Sequence, residues 1–181
     1  MKLTEKKLSR DEKFCGKIID VHVDQVELEN GEVTFREVVD HPGGVCVVAI
    51  TDKDEVLMVR QFRYPYGQIL REIPAGKLER GEDPFEAVKR EQMEETGTGA
   101  EEYVYLGDLY PTPGYCGEII RIWACRVSTY GEPDPDDDEF LEVDRVPMEQ
   151  AVAEIMENKI KDSKTQIGIL KAYALMKQGK L

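Results

Sequence analysis

The chain lacks the features of a membrane protein and of a disulfide-stabilised protein. It has no run of about 18 consecutive apolar residues, so no membrane-spanning helix is predicted and no membrane partner is expected. Its four cysteines are widely spaced and form no CxxC pair, which predicts free thiols and no structural zinc site. The first residues are charged and include no apolar signal region, so we expect a cytoplasmic protein.

Positive charge is scarce relative to negative charge. The chain has 24 Lys and Arg against 37 Asp and Glu, which gives a net charge of −13. Because nucleic-acid binding needs a basic surface, the composition argues against a nucleic-acid partner. An anionic substrate would have to be bound by a metal cation and a few placed arginines. The length of 181 residues and the hydrophobic content of 41% predict one main core.

Residues 76–97 carry most of the chemical information. They read G-K-L-E-R-G-E-D-P-F-E-A-V-K-R-E-Q-M-E-E-T-G. Asp83 is a favourable N-cap, Pro84 suits the first helical position, and Gly97 suits the left-handed residue that ends a helix. Glu86, three residues after Asp83, has the spacing of a capping box. The segment therefore predicts a loop followed by one helix.

Three glutamates of this helix point in nearly one direction. At roughly 100° per residue, Glu91, Glu94 and Glu95 fall within an arc of about 100°. Like charges at this spacing repel each other. Arg90 can pair with Glu94 one turn later, which leaves Glu91 and Glu95 for a cation. Hard carboxylate oxygens suit Mg²⁺ or Mn²⁺, so the helix predicts a divalent-metal site; the alternative is a solvated acidic face.

The same segment resembles the Nudix box. The box runs Gly, five residues, Glu, seven residues, Arg-Glu, two residues, Glu-Glu, one residue, Gly. It matches at Gly76, Glu82, Arg90, Glu91, Glu94, Glu95 and Gly97. Two positions that are apolar in the family are polar here, Gln92 and Thr98. Gln92 falls on the apolar face of the helix, where a buried amide needs a partner or costs about 1–3 kcal/mol.

Outside the box, most of the sequence has the pattern of β-strands. Residues 17–40 have the pattern of a β-hairpin, with a turn at Asn30-Gly31 and a bulge near Asp24-Gln25. The break at residues 41–44 predicts a boundary between an N-terminal β-hairpin appendage (1–41) and a main domain (42–181). Further strands are predicted over residues 45–50, 56–59, 69–73, 103–109, 119–127 and 140–146.

Two helices are predicted to close the chain. Pro147 opens the first, whose apolar stripe is Val152, Ile155 and Met156. Ser163 caps the second, whose stripe is Ile167, Leu170, Ala174 and Leu175. Mixed strands with intervening helices predict an α/β fold in α/β/α layers. The Nudix resemblance implies the same α/β/α sandwich with a mixed sheet, plus a small N-terminal antiparallel β appendage.

Segments beyond the box resemble the ADP-ribose pyrophosphatase subfamily of Nudix hydrolases. These segments are the N-terminal hairpin, Gln61-Phe62-Arg63, the E-I-P-A-G run at 72–76, and a proline about fifteen residues after the box. The resemblance implies a pyrophosphohydrolase that converts ADP-ribose, a small nucleotide-sugar substrate, to AMP and ribose 5-phosphate with Mg²⁺. It also implies a homodimer. The alternatives are another nucleotide sugar or dinucleoside polyphosphate as substrate, or a non-catalytic nucleotide-sensing module.

The resemblance also implies which residues bind the cofactor and catalyse the reaction. About two or three Mg²⁺ ions, or Mn²⁺ as a substitute, would be held by Glu91, Glu95 and the carbonyl of Ala75. Glu94 would be an auxiliary ligand with a catalytic role. Glu139 is expected to be the general base or a further metal ligand, and Asp138 and Glu142 are the alternatives. A merely solvated acidic loop is equally open.

Four residues are expected to contact the substrate. Arg63 would bind a phosphate through charge-assisted hydrogen bonds. Glu72 would accept hydrogen bonds from the substrate or orient Arg63; a salt bridge at a strand end is the alternative. Arg36 would reach the phosphates or the terminal ribose, with a surface strand arginine equally open. Pro113 would shape the loop on the ribose side, with a structural turn equally open.

Overall fold

The computed structural model describes residues 2–135 and 139–181. The chain divides into two compact units. The first combines the residues up to Gly43 with Tyr110–Ile119, and the second combines Gly44–Leu109 with Ile120–Leu181. Tyr110–Ile119 joins the first unit through backbone hydrogen bonds at Val39, whose N–H donates to the Tyr115 carbonyl at 2.8 Å.

The first unit is built on a three-stranded antiparallel sheet. Its strands are β1 (Lys6–Cys15), β2 (Asp20–Glu27) and β3 (Val33–Asp40), in the order β1-β2-β3. The predicted hairpin is therefore confirmed as β2 and β3. Gly31 has a φ of +84° in the connecting turn, as the Asn30-Gly31 signal predicted.

The bulge predicted near Asp24-Gln25 is wrong. Strand β2 pairs with β3 without interruption over all 8 of its residues, and the register shifts lie in the pairing of β1 with β2. The apolar pattern changes phase because polar residues occupy the buried side of β2. His22 is fully buried, with Nδ1 3.0 Å from Asp24 Oδ1 and Nε2 3.2 Å from Asp40 Oδ2.

The second unit contains a mixed sheet and three α-helices within the described ranges. Its main sheet has the order β12-β5-β4-β10-β9, with β6 paired to β5 and β7 paired to β4; β8 and β11 form a separate pair. Strands β4 and β10 are parallel, and the other pairs are antiparallel. The elements are β4 (Gly44–Ile50), β5 (Glu55–Arg63), a 3₁₀ turn (Tyr64–Tyr66), β6 (Gln68–Glu72), β7 (Ala75–Lys77), α1 (Pro84–Thr96), β8 (Thr98–Gly99), β9 (Tyr103–Leu109), β10 (Ile120–Arg126), β11 (Thr129–Tyr130), β12 (Leu141–Pro147), α2 (Met148–Met156) and α3 (Ser163–Lys177).

The central strand β4 shows why this unit has three layers. All 7 of its residues are buried, and successive side chains point to opposite faces of the sheet. Val45 and Val47 pack in one apolar cluster with Val88 of α1. Val48 packs in a second cluster with Ile169 of α3. The predicted α/β/α sandwich is therefore confirmed, with α1 on one face and α2 and α3 on the other.

The apolar face of α2 is rotated from the predicted one. Its buried residues are Met148, Ala151 and Ile155, whereas Met156 is 76% exposed. The prediction was wrong because it took the two largest neighbouring side chains, Ile155 and Met156, as one stripe. Ala151 has a smaller side chain, but it lies one turn before Ile155 and faces the same core.

The start and the buried face of α3 also differ from the prediction. The N-cap is Asp162, not Ser163, because its carboxylate accepts the Thr165 N–H at 2.9 Å. Buried α3 residues include Thr165 and Gly168, whereas Leu170 is exposed. A Cβ at Gly168 would lie 3.0 Å from side-chain atoms of Ile73 and Val48, so the helix packs closely against them at its smallest residue. A prediction based only on large apolar residues could not identify Thr165 and Gly168 as buried positions.

Two expectations from composition can be compared directly with the structure. In the part of the chain that the structure describes, no helix combines the length and the apolar character needed to cross a membrane. All four cysteines are free thiols, as predicted, and Cys46 and Cys125 are buried.

Replacing the N-cap of α1 should destabilise the second unit. Asp83 Oδ1 accepts the backbone N–H of Phe85 at 2.9 Å and that of Glu86 at 3.2 Å. We expect Asp83→Ala to lower the free energy of unfolding by about 1 kcal/mol, because both N–H groups lose a partner. Urea denaturation would measure the change. Asp52→Ala, at an exposed turn position, is the matched control and should change stability by less than about 0.5 kcal/mol; equal effects of the two variants would contradict the prediction.

Candidate metal centre

Helix α1 positions most of the acidic side chains of the site. It begins after the N-cap Asp83, with Pro84 in its first turn, and ends at Gly97, as predicted. Gly97 has a φ of +63°, which a glycine adopts without strain. A Cβ at Gly97 would also lie 2.6 Å from the Gly131 carbonyl oxygen. The positive φ of Gly97 and its short distance to the Gly131 carbonyl oxygen both require glycine at this end of the helix.

Arg90 is the centre of an ion-pair network along α1. Its Nε and Nη2 donate to Glu82 at 3.0 and 3.3 Å, and its Nη1 donates to Glu94 at 2.8 Å. Nη1 also lies 2.9 Å from Glu91 Oε1. The predicted pair with Glu94 is therefore confirmed, and the expectation that Arg90 leaves Glu91 alone is wrong. A guanidinium has five N–H donors and can serve several carboxylates at once.

Glu95 is a buried carboxylate held by a backbone donor. Only 2% of its surface is exposed, and its Oε2 accepts the Ala75 N–H at 2.9 Å. Burial raises the pKa of Glu95 to about 8; the Ala75 hydrogen bond opposes this rise, and the charges of Glu91 and Glu139 add to it. Ionised Glu95 is therefore unfavourable near neutral pH unless a cation lies beside it.

Glu91 lies directly against the backbone of Gly76. A Cβ at Gly76 would overlap the Glu91 carboxylate, so a side chain at residue 76 would displace the carboxylate from its observed position. Burial raises the pKa of Glu91 to about 7, although Arg90 opposes the rise. Gly76 lies in β7 and pairs with Val45 of the central strand. The sheet thus fixes the backbone against which the carboxylate packs.

The loop after β11 brings a further acidic residue towards α1. The N–H groups of Gly131 and Asp134 donate to carbonyl oxygens at the C-terminal end of α1, at 2.6 and 2.9 Å. Farther along this loop, the negative charge of Glu139 contributes to the raised pKa of both Glu91 and Glu95. The structure therefore brings Glu139 within electrostatic range of the two buried carboxylates.

The alternatives to Glu139 are placed differently. Glu142 lies in β12, where it forms an ion pair with Arg60. Asp138 lies outside the described residues. Of the residues that the structure describes, Glu139 is the candidate base whose charge affects Glu91 and Glu95.

The carboxylates are neighbours but do not already form a metal-binding cluster. Within residues 2–135 and 139–181, no three Asp, Glu, His or Cys side chains meet in an arrangement that would hold a metal ion. Arg90 contacts Glu91 and Glu94, and the Ala75 N–H holds Glu95. The donor set still fits a hard divalent cation, because it consists of carboxylate oxygens whose ionised forms a cation would stabilise.

A second charged cluster joins β5, β6 and α3. Glu72 is buried and accepts two hydrogen bonds from Arg63, Nε to Oε1 at 2.7 Å and Nη2 to Oε2 at 2.8 Å. The ammonium of Lys164 also contacts Glu72 and lies 3.1 Å from Asp162 Oδ2. Burial opposes ionisation of Glu72, but Arg63 and Lys164 outweigh it and lower its pKa to about 2. Glu72 thus forms an ion pair with Arg63 at the ends of β6 and β5, which is the salt bridge given above as the alternative. Its role towards Arg63 or a substrate stays a prediction.

Lys164 was missed by the sequence analysis. A lysine in the first turn of a helix is normally exposed, whereas Lys164 is 8% exposed. One signal was available, because Lys164 precedes Gly168 by one turn and so shares the face on which α3 makes its closest approach.

Two candidate substrate contacts lie in the first unit. Arg36, in β3, donates from Nε to Glu5 Oε2 at 3.0 Å. Pro113 is exposed in a turn in which the Cys116 N–H donates to the Thr112 carbonyl at 3.0 Å. Arg36 is therefore a surface strand arginine with an ion pair, and Pro113 lies in a structural turn. Both are the alternatives that the sequence left open. Their roles towards a substrate stay predictions.

Comparison with known proteins decides the family. A model of the NUDIX domain matches residues 40–166, more than half of the chain. The chain belongs to the Nudix family. An ADP-ribose pyrophosphatase of Bacillus subtilis (strain 168) is 41% identical over 169 residues, which cover 92% of this chain and 91% of that protein. A methanol dehydrogenase activator of Bacillus methanolicus is 40% identical over 167 residues, or 91% of this chain and 90% of that protein.

A solved structure shows the same fold. The crystal structure of an ADP compounds hydrolase superimposes with a TM-score of 0.84 and 21% sequence identity, and the match covers 98% of this chain and 97% of that one. The Nudix-type sandwich is therefore confirmed, and so is the resemblance to ADP-ribose pyrophosphatases. With its box complete, this Nudix protein is an enzyme of the pyrophosphohydrolase class.

The two departures from the Nudix box pattern are hydrogen-bonded to each other. Gln92, fully buried, donates from Nε2 to Thr98 Oγ1 at 3.1 Å, and its Oε1 accepts the Tyr103 hydroxyl at 2.9 Å. Thr98 Oγ1 also lies 2.7 Å from Thr96 Oγ1. The predicted need of Gln92 for a partner is confirmed, and the second unusual residue supplies it.

Changing Gln92 and Thr98 together should cost less stability than the sum of the single changes. Thr98→Val leaves the buried Gln92 amide without an acceptor, and Gln92→Leu removes a donor from Thr98. We expect each variant to lower the free energy of unfolding by about 1–3 kcal/mol. The double variant should show a coupling of about 0.5–3 kcal/mol in urea denaturation.

The control for this cycle is Gln92→Leu combined with Asp52→Ala, which should be additive within about 0.5 kcal/mol. If the changes in the free energy of unfolding for Gln92→Leu and Thr98→Val were also additive, the observed hydrogen bond would not couple the two positions.

Proposed function

We propose that this Nudix enzyme hydrolyses the pyrophosphate bond of ADP-ribose in a Mg²⁺-dependent reaction and releases AMP and ribose 5-phosphate. The observation that carries the proposal is the pair of carboxylates, half-buried Glu91 and buried Glu95, packed against the backbone of Gly76 and Ala75. The choice of substrate is supported by the identity of 41% to the Bacillus subtilis ADP-ribose pyrophosphatase over nearly the whole of both chains.

The proposed cation ligands are Glu91, Glu95 and the carbonyl oxygen of Ala75, with Glu94 as an auxiliary ligand. Bound there, about two or three Mg²⁺ ions, or Mn²⁺ in their place, would polarise the phosphate oxygens and lower the pKa of the attacking water. The burial of Glu95 strengthens its attraction to positive charge, because less water screens it. Arg90, which contacts Glu91 and Glu94, keeps these acidic side chains close to each other before a cation binds.

Glu139 is the proposed general base. It would accept a proton from water as the water oxygen bonds to one phosphorus and the bridging P–O bond breaks. The bridging oxygen leaves with the other phosphate, so that one water is consumed for AMP and ribose 5-phosphate. The support is electrostatic, because the charge of Glu139 acts on Glu91 and Glu95.

Arg63 is the proposed phosphate ligand in the second unit. Glu72 already binds its Nε and Nη2, so the guanidinium plane is fixed in one orientation. Charge-assisted hydrogen bonds from such a group to phosphate oxygens are stronger than neutral ones. Arg36 is proposed to bind the phosphates or the terminal ribose, and Pro113 is proposed to shape the loop on the ribose side.

We further propose a cytoplasmic homodimer that associates through the first unit. Val33 and Phe35 of β3 and Phe14 of β1 are between 56% and 61% exposed, which is unusual for large apolar side chains of one small sheet. Light scattering after size exclusion tests the dimer. The four free thiols are consistent with a reducing compartment.

A second candidate function is regulation of another enzyme by a nucleotide-binding Nudix protein. The observation that favours it is the identity of 40% to the Bacillus methanolicus protein named as an activator of methanol dehydrogenase. All four box glutamates are present in this chain, which favours catalysis.

Glu95→Gln should remove turnover and leave the fold intact. The amide oxygen can still accept the Ala75 N–H, but the charge that attracts a cation is gone. We expect kcat to fall about 1,000-fold or more with Mg²⁺ present, with unchanged circular dichroism. Glu86→Gln is the matched control, because Glu86 lies on the same helix and bonds Lys89 at 2.8 Å; its kcat should stay within about twofold. Normal turnover by Glu95→Gln would refute the assignment of the metal site.

A substrate panel should rank ADP-ribose first. We expect its kcat/KM to exceed that of GDP-mannose and of a dinucleoside polyphosphate by about tenfold or more, with Mg²⁺ and with Mn²⁺. A higher kcat/KM for either competitor would reassign the substrate. Calorimetry that detected binding of ADP-ribose, with no hydrolysis in Mg²⁺, would favour the regulatory function.

A further inference from the structure

Lys164 is a buried cation that the reaction described above does not use. It lies in the first turn of α3, and its ammonium contacts Glu72 and lies 3.1 Å from Asp162 Oδ2. Burial favours the neutral amine, but Asp162 and Glu72 outweigh it and raise the pKa of Lys164. Lysine is almost never buried unless it is paired, so the position of this charge needs a cause.

The docking of α3 does not supply that cause. The N-cap Asp162 already satisfies the Thr165 N–H at 2.9 Å. Thr165 Oγ1 accepts the Ile73 N–H at 2.9 Å and so connects the helix to the sheet. Gly168 permits close packing beside these bonds. An apolar side chain of similar length would fill the place of Lys164 at a lower desolvation cost.

The contacts of Glu72 connect Lys164 to Arg63. Glu72 Oε2 accepts from both Lys164 Nζ and Arg63 Nη2, and Oε1 accepts from Arg63 Nε. Lys164 therefore binds the same carboxylate oxygen that accepts from Arg63 Nη2, so a contact with Lys164 restrains the group that orients Arg63. In the described part of the chain, the hydrogen bonds of Arg63 use Nε and Nη2, which leaves Nη1 for a ligand.

This cluster lies next to the proposed metal ligands. The charge of Glu95 acts on Arg63, and the charge of Lys164 acts on Glu95. Ile73 and Pro74 alone separate Glu72 from Ala75 in the chain. A phosphate bridging a cation at Glu95 and the free edge of Arg63 would need both groups held in a fixed relation.

We propose that Lys164 is a positioning residue for the reaction: it holds the Glu72 carboxylate in the orientation in which Arg63 presents Nη1 to a substrate phosphate. This inference rests on the proposed function. It assigns Lys164 no contact with the substrate, so its whole effect must pass through Arg63.

The test is a double-variant cycle on kcat/KM for ADP-ribose. Lys164→Met should lower kcat/KM about 10- to 100-fold, mainly through KM, because a mobile Arg63 binds phosphate less well. Lys171→Met is the matched control: Lys171, on the same helix, donates to the Leu106 carbonyl at 2.5 Å and should stay within about twofold of wild type. Arg63→Ala should lower kcat/KM by at least as large a factor as Lys164→Met. Adding Lys164→Met to Arg63→Ala should change kcat/KM by less than about threefold.

Binding of a nonhydrolysable methylene analogue of ADP-ribose, measured by calorimetry, gives a readout independent of turnover. We expect its Kd to rise about tenfold or more in Lys164→Met and to be unchanged in Lys171→Met. Equal behaviour of these two variants, or effects of Lys164 and Arg63 that multiply, would overturn the inference.

Lys164→Gln is the second variant if Lys164→Met fails to fold, and failure of both would also overturn the inference in favour of a structural role. Wild-type protein that binds the analogue in a Lys164-dependent way but hydrolyses no ADP-ribose would refute the proposed function and support the positioning role.

Discussion

The arrangement of the site depends on two glutamate carboxylates packed against the backbone of residues 75–76. Burial raises their pKa values to about 7 and about 8, so the folded chain disfavours the state in which both are charged. The caps of α1, the pairing of β7 with β4 and the absence of a side chain at Gly76 all hold this unfavourable arrangement in place. Because the ionised forms of both carboxylates are disfavoured in the folded chain, a bound cation that stabilises them would be attracted to this site.

Two networks of buried or half-buried cations compensate the acidic side chains in different ways. Arg90 contacts three carboxylates of the box and moderates their repulsion along α1. Lys164 and Arg63 share a single carboxylate, Glu72, which has a pKa of about 2. The Arg90 network holds several carboxylates close to each other. The Glu72 network fixes the orientation of the Arg63 guanidinium. Both uses suit a net-acidic chain whose proposed substrate is an anion.

The sequence predicted those parts of the structure that depend on local chemistry. The ends of α1 followed from Asp83, Pro84 and Gly97. The three layers followed from the alternation of predicted strands and helices along the chain. The predicted bulge in β2 was wrong because the polar residues His22 and Asp24 occupy buried positions of the strand, which an apolar pattern does not show. Lys164 was missed because its partner Glu72 is 92 residues away in the chain. Local patterns show which residues are unusual, but tertiary contacts decide what they bind.

The polar pair beneath α1 constrains the route by which this sequence arose. Thr98 Oγ1 lies 2.7 Å from Thr96 Oγ1, so a threonine at 98 has a partner even when residue 92 is apolar. A glutamine at 92 facing an apolar residue 98 would instead bury an Nε2 group without its acceptor, although Oε1 would still accept the Tyr103 hydroxyl. Introducing Thr98 before Gln92 is therefore the order of replacement in which no buried Nε2 group lacks its acceptor. Homologues that carry glutamine at 92 without a hydroxyl at 98 should be rare, and the two columns should covary.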